Sequence, residues 1–531
     1  MNFTPNSQKR PIIAQKTPPV LQKPPVSYGV RDTIFAYLCI PLCFLFVKSA
    51  PFSSSALGTM LAFITVIAFS AFYLILSGVR LSSSALTSGA VMLLLCVGFL
   101  TNPNAVQRSL LSFFLMLVLP VFVHTCCKKD FFASFSQNPV QNLMGPVFHI
   151  PANSLKTSLA AFAPKKNGKK SSVLAVLAWC AVGLVCAVIP TIVIALLLSY
   201  DEQFSNLLNR IFDFSFGNLF EYLGDGLLSV MLALPLFATL FGNLQIKKKA
   251  EVQNHNNSEE KNHPWNLYVL PKPLLAAFIT PILLIYVLFF VSQWDYYVSA
   301  FTHTLPQGLT YAPYAREGFF QLCVVSGFNA TFLLGFQVFM RRKPGERGIL
   351  RRIYSAIISL FTLVLIATAL SKLILYVDAY GMTRARVVAA WMILLLAVIF
   401  FLTLIHVFFK KFPIAIAILV TCVLFSLILF LPNIDGMIAD YNVNAYLSGD
   451  LSSVDIDALS DLDYAAVPAL SRLEDNLLSL SSRDGKSASI LKAVTARLDA
   501  LAEKSNKYPD GFFDFNIPTW RAKQMLEGRI P

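Results

Sequence analysis

No aspartate or glutamate stands in the middle of any long apolar stretch of this sequence, which weighs against a proton-coupled mechanism built on an intramembrane carboxylate. The phosphate-cradling GxxxxGK(S/T) loop is missing, as are HExxH, GxGxxG and any CxxC pair at zinc spacing, so nucleotide and zinc chemistry have no motif to rest on. We expect no cofactor, no metal and no catalytic residue. Cysteine is absent after Cys422: all nine cysteines lie in or at the ends of apolar stretches, and no disulfide framework is implied. Nor is a cleavable signal peptide visible, because the first apolar run opens at Thr33 and leads into further runs, so it is expected to be retained.

Charge is scarce as well, at 14% of residues against 56% hydrophobic, with 45 Phe. That balance belongs to a membrane protein. A hydrocarbon core of about 30 Å asks a helix for about 20 apolar residues, and the chain supplies eleven such stretches: 33–50, 56–76, 85–100, 106–126, 173–199, 226–243, 273–292, 318–340, 353–377, 387–408 and 412–431. The third is the weakest, being short and preceded by Ser82, Ser83 and Ser84. If it failed to span, every later orientation would invert. The fold expected is therefore all-α, a polytopic transmembrane helical bundle of about eleven spans.

The net charge of +14 invites a nucleic-acid reading, but its distribution belongs to topology. With the N-terminus inside, 26 of the 43 Lys and Arg fall in inside segments, seven in outside loops, and ten after Leu431, where 15 Asp and Glu outnumber them. This follows the positive-inside rule. An odd number of spans then sends the acidic tail to the far side of the membrane.

The domain plan has five parts. Residues 1–32 form a basic, proline-rich cytoplasmic tail without apolar periodicity, expected to be disordered. Six spans fill 33–243, with an amphipathic interfacial helix near 202–213 carrying Phe204, Leu207, Leu208, Ile211 and Phe212 on one face. A charged cytoplasmic linker occupies 244–272, five further spans fill 273–431, and 432–531 make a small extracytoplasmic helical domain. Prolines at 41, 120, 190, 235 and 281 read as packing kinks.

Three polar clusters fall on the outer side under this threading. YAPYAREGFFQL, residues 311–322, sets Tyr314, Arg316 and Glu317 at the mouth of the eighth span. LYVDAYGMTRARV, residues 375–387, contributes Asp378, Tyr380, Gly381, Arg384 and Arg386, and NIDGMIADYNVNAYLSGD follows at 433–450. We expect Tyr314, Arg316, Glu317, Asp378, Tyr380 and Arg384 to form a polar network that fixes spans eight to ten and docks the tail. The opposing reading is a set of separate solvated charges, since isolated surface pairs contribute little.

Inside the eighth span, Gly327, Thr331 and Gly335 recur every four residues and offer a smooth face for helix packing. Gln321, Asn329 and Gln337 spread over roughly 160° of the helix. They read first as interhelical hydrogen-bonding groups and, more sharply, as a solute path. His124 with Cys126 and Cys127 could ligate a metal, but positions 124 and 126 point roughly 200° apart on a helix, which favours packing. His406 reads as interfacial.

The succession YAREGFFQL, LYVDAYGMTRAR, ADYNVNAYLSGD, DLDYAAVPAL and PTWRAKQML resembles an uncharacterised family of bacterial polytopic membrane proteins known only as a domain of unknown function. The resemblance covers about residues 270–531, the N-terminal half being similar only in its hydrophobicity. It implies a bacterial inner-membrane location and the grouping of these clusters, and brings no activity or site residues with it.

In the tail, Ser453 is expected to cap a short helix over Ile456, Leu459 and Leu462. Longer helices should bury Val467, Leu470, Leu473 and Leu477, and then Ile490, Leu491, Val494, Leu498 and Leu501. Phe512, Phe513, Phe515 and Trp520 make either a small core or an attachment to the bilayer surface. The functional expectation is a non-enzymatic envelope scaffold or sensor whose outer loops and tail bind an extracytoplasmic protein partner. Its other partners are membrane lipids, with no nucleic acid. The competing expectations are a transporter or channel for a neutral or lipidic solute, and an enzyme acting on a lipid-linked substrate at the outer face.

Overall fold

The computed structural model describes residues 29–49, 55–128, 130–137, 139–162, 216–255, 319–339, 349–409, 411–480, 485–507 and 511–529, with scattered positions between 277 and 291. Every regular element among them is helical. In chain order these are α1 (Val30–Ser49), α2 (Ala56–Leu76), α3 (Ser83–Thr101), α4 (Ala105–Cys127), α5 (Phe131–Gln137), α6 (Pro139–Met144), a π turn at Gly145–His149, and α7 (Ile150–Phe162). Then come α8 (Phe216–His255), α9 (Phe319–Phe339), α10 (Ile349–Tyr380), α11 (Arg384–Phe408), α12 (Ile414–Phe430) and α13 (Ile434–Ser448). The tail adds α14 (Ile456–Ser460), a tight turn at Asp463–Ala466, α15 (Val467–Leu480), α16 (Gly485–Lys507), a second tight turn at Phe512–Asp514 and α17 (Ile517–Leu526).

Seven of the described helices are long and apolar enough to cross a membrane: α1 to α4, α8, α10 and α11. An eighth is made if α12 and α13, bent 66° apart, act as one broken span. The stretch 173–199 and the interfacial segment 202–213 lie outside the described residues, as does most of 273–292, so the eleven spans read from sequence are matched over part of the chain. The weakest of them is among the seven: α3 runs 19 residues, with Ser82 capping it by accepting from the Ala85 amide at 3.3 Å.

Local chemistry sets several boundaries. Asn104, Asn433, Asp455 and Asn516 cap α4, α13, α14 and α17 through their side chains, so the short helix of the tail starts on Asp455 rather than Ser453. Pro41, Pro120 and Pro235 sit inside α1, α4 and α8 without ending them. The basic run Lys247–Lys249, expected to open a linker, instead continues α8 to His255. Lys, Ala, Glu and Gln are good helix formers, and nothing in KKKAEVQNH breaks the chain.

Two apolar cores result. The larger joins α1 to α4 and α8 to the end of α12, to α13 and to the tail helices, so the tail is continuous with the membrane bundle. The smaller is formed by α9, α10 and α11. Met382, between α10 and α11, packs on both. Val467, Leu470, Leu473 and Leu477 of α15 and Val494, Leu498 and Leu501 of α16 are buried, whereas Ile490 and Leu491, expected on the same stripe, are half-buried against the core. Phe512, Phe513, Phe515 and Trp520 are exposed, which rules out the small core as their role among the described residues.

Candidate functional site

The polar groups converge where α12 bends into α13. A helix leaves its last carbonyls without intrahelical partners, and Pro432, just after α12, has no amide to offer them. The loop between α3 and α4 and the first turn of α4 supply the donors instead. Asn102 Nδ2 donates to the Phe430 carbonyl at 2.6 Å and Gln107 Nε2 to the Leu429 carbonyl at 3.0 Å. Gly98 makes this approach feasible, because a Cβ there would stand 2.5 Å from the Phe430 oxygen. Asn433 then starts α13 by accepting from the Gly436 amide at 3.1 Å.

Asp435 follows in the first turn of α13, where a carboxylate suits the helix dipole, and it is only 2% exposed. The Arg384 guanidinium, at the start of α11, holds it with two parallel hydrogen bonds, Nε to Oδ1 at 2.7 Å and Nη2 to Oδ2 at 2.8 Å. Nη2 also donates to the Asp461 carbonyl at 2.9 Å, and Asn104 Nδ2 reaches Oδ2 at 3.4 Å. One carboxylate thus draws together the capping residue of α4, the head of α11, α13 and the tail. Its planar, two-pronged geometry is what arginine, and not lysine, can provide.

A second tie lies further along α13. Asn442 accepts from the Met382 amide at 2.6 Å and donates to the Met382 carbonyl at 2.8 Å, satisfying both backbone groups of the residue that bridges the two cores. The turn that presents Met382 needs Gly381, whose φ is +73° and whose missing Cβ would meet Asn442 Oδ1 at 2.5 Å. Arg386 stacks 4.0 Å over the Tyr376 ring and donates to the carbonyls of Tyr380, at 3.1 Å, and Gly381. In the tail, Arg529 grips Glu474 at 2.5 and 2.6 Å and Asp499 at 3.2 Å, and Thr495 donates to Glu474 at 2.7 Å. The hydrogen bonds from Arg529 hold the Glu474 carboxyl below the ordinary carboxylate range. Asp463 receives Lys504 at 2.9 Å, and Arg472 pairs with Asp440 of α13.

Tyr314, Arg316 and Glu317 lie outside the described residues. Asp378 is exposed at the end of α10 and makes no ion pair among the described residues, while Arg384 takes Asp435 as its partner. Tyr380 is half-exposed, with its ring set edge-on to Tyr376 at 5.3 Å. On α9 a Cβ at Gly327 would meet no atom of the described residues within 4 Å, and Thr331 is exposed, donating to the Gly327 carbonyl at 3.0 Å. Gly335 is partly buried. The packed face of α9 is the one carrying Leu322, Ser326, Asn329 and Leu333. Asn329 is fully buried, donates to Thr362 of α10 at 2.9 Å and accepts from the Tyr286 hydroxyl at 2.8 Å. The side chains of Gln321 and Gln337 lie outside the described residues.

At the opposite end of the bundle, His124 pairs with Asn243 of α8 at 2.7 Å, and His406 with the Phe412 carbonyl at 3.0 Å. No group of three or more His, Cys, Asp or Glu is placed to hold a metal among the described residues. Sequence reasoning passed over Asn102, Asp435 and Asn442, and also Asp32, which is buried at the start of α1 and accepts from the Tyr73 hydroxyl at 3.0 Å. Lys372, fully buried in α10, was passed over too. The usable signals were Asn433 and Asn104 as helix caps, and the acidic first turn of α13.

No curated protein and no solved structure matches the chain. A family profile does match, over residues 35–473, and so takes in the N-terminal half as well as Asn102, Arg384, Asp435, Asn442 and Asp461. The similarity had been expected over about residues 270–531; the profile reaches further toward the N-terminus and stops short of PTWRAKQML, residues 518–526. The chain belongs to the family described as Domain of unknown function (DUF4153).

Proposed function

We propose that the chain is a membrane-embedded, non-enzymatic scaffold or sensor, whose α13 and tail helices form a rigid platform for an extracytoplasmic protein partner. The observation that carries this reading is the buried Asp435, held by Arg384 and Asn104 while Arg384 also reaches Asp461, so that tail and spans are fixed to one another. A platform of this kind transmits force or binding between layers without chemistry of its own. The positive-inside distribution supports a cytoplasmic N-terminus and an extracytoplasmic tail in a bacterial inner membrane. Arg384 is committed to Asp435 and Asp378 stands apart from that pair, so an enzymatic cleft sharing them has no support.

The test is site-specific photo-crosslinking in native membranes from Met437, Tyr441 and Leu447, the exposed apolar positions of α13, with Leu424 and Ile428, exposed on the uncharged, apolar α12, as controls. A discrete protein adduct from α13 alone is expected. Equal or absent adducts at both sets would remove the scaffold reading. A membrane-impermeant maleimide directed at a Ser453→Cys variant in intact cells reports the side on which the tail lies, and labelling is expected.

One observation favours transport of a neutral solute as the second reading. The Tyr286–Asn329–Thr362 chain runs between helices of the smaller core, and on α10, one turn before Thr362, the Ser359 hydroxyl is buried without a hydrogen-bond partner among the described residues.

A further inference from the structure

The segment from Gly511 to Leu526 presents Phe512, Phe513, Phe515, Ile517, Trp520 and Met525 outward, with Phe512 at 76% and Trp520 at 50% exposure. Six large apolar side chains on one short segment exceed the scattered exposure normal for a protein surface. Their position narrows the explanation. Asp514 accepts from the hydroxyl of Ser55, the residue that precedes α2, at 3.3 Å, and Phe513 Cβ lies 3.5 Å from where a Cβ on Gly58 would stand, in the first turn of that span. Helix α17 also packs against α3. The aromatic segment is therefore pinned to the first turn of α2 and lies against α3, two of the helices long and apolar enough to cross a membrane. Further along α2, Leu61 and Phe72 are exposed as well.

The backbone fixes this presentation. Asp514 Oδ2 accepts from the Gly511 amide at 3.1 Å and closes the tight turn that carries Phe512 and Phe513. Asn516 caps α17 by accepting from the Thr519 amide at 3.0 Å, with Pro518 in the first turn. Thr519, Ala522 and Leu526 then face the tail core, which leaves Ile517, Trp520, Arg521 and Met525 on the outer side. Tryptophan and arginine on one face suit the headgroup layer, where an indole keeps its apolar body in the acyl boundary and a guanidinium meets phosphate.

We propose that Gly511–Leu526 is an interfacial anchor, seated in the headgroup layer of the leaflet on the tail side, with the phospholipid surface as its partner. It lies beyond the family-matched region and acts independently of any protein that binds α13. The anchor tilts the tail onto the membrane and ties the end of α2 to it through Asp514.

The full chain, reconstituted in phosphatidylcholine and phosphatidylglycerol vesicles whose acyl chains are brominated either near the glycerol or near the terminal methyl, provides the test. The difference in emission between the unaltered protein and Trp520→Phe isolates Trp520 from the other four tryptophans. Trp520 is expected to lose most of its emission to bromine near the glycerol, little to bromine near the methyl end, and little to aqueous iodide. A double Phe512→Ser, Phe513→Ser variant, checked for retained helicity, is expected to weaken that quenching. Quenching by iodide and not by bromolipid would overturn the proposal in favour of a water-facing surface. Insensitivity to both would overturn it in favour of cover by protein.

Discussion

The Arg384 guanidinium and the Asp435 carboxylate meet through two parallel hydrogen bonds, although the arginine side chain is 39% exposed and the aspartate 2%. That asymmetry sets what each substitution does. Removing the arginine strands a buried charge, whereas removing the aspartate leaves a cation that can turn to water. Arg384→Ala is therefore expected to cost about 2 to 3 kcal/mol, and Asp435→Ala less. Arg384→Lys should fall between the unaltered protein and Arg384→Ala, because an ammonium cannot span both oxygens. Melting of the purified protein in detergent is the measurement, completed by the double variant. Strictly additive losses would remove the coupling.

Gly381 and Asn442 form a second joint with a different weakness. Any side chain at Gly381 is strained by its positive φ and also displaces Asn442 Oδ1 from the Met382 amide. Gly381→Ala is expected to cost about 1 to 3 kcal/mol. Asn442→Asp should be worse than Asn442→Ser, since a carboxylate would face the Met382 carbonyl that now accepts from Nδ2. Hydrogen exchange at the Met382 amide checks both, with faster exchange expected in each variant.

The helices of this chain could be read from sequence because hydrophobic length and caps are local properties. Even the doubtful stretch at 85–100 carries its own serine cap, Ser82. Which charges pair is not local. Asp378 and Arg384, six residues apart, share one expected network, but only the folded chain shows that the bend after α12 brings Asp435 to the arginine while Asp378 is exposed. Which face of α9 is buried is not local either. Small residues at every fourth position mark where a helix could be approached closely, whereas the buried polar residues of α9 among the described ones are Ser326, which donates to the Leu322 carbonyl of its own helix, and Asn329, which donates across to Thr362.

The tail should loosen in acid. Glu474 has its folded pKa depressed by its hydrogen bonds to Arg529, below the ordinary value of 4.5, so it binds fewer protons folded than unfolded. Its contribution is then complete above that ordinary value and fades as pH falls through the lower folded value. Arg529 stays charged throughout and supplies no opposing titration. Exchange protection across α15 and α16 is expected to drop as pH is lowered through this window. Glu474→Gln should remove that dependence at the expense of lower protection near neutrality.

Asn329 separates packing from passage. Hydrogen bonds between membrane helices are worth about 0.6 kcal/mol on average, with about 1.7 kcal/mol at the upper end, because the alternative state also finds partners. If the bonds to Tyr286 and Thr362 only hold α9 against α10, Asn329→Leu loses them, adds apolar contact, and should melt within about 1 to 2 kcal/mol of the unaltered protein. Cells or vesicles carrying the variant should then behave as before. A solute path predicts the reverse pattern, with melting unchanged or raised and the physiological phenotype lost, because a leucine closes the only described polar link between these helices at that depth while leaving the fold intact. Thr362→Val removes the partner without adding bulk. It should follow Asn329→Leu in melting under either reading and lose the physiological function only under transport, so the two variants together decide between a platform and a conduit.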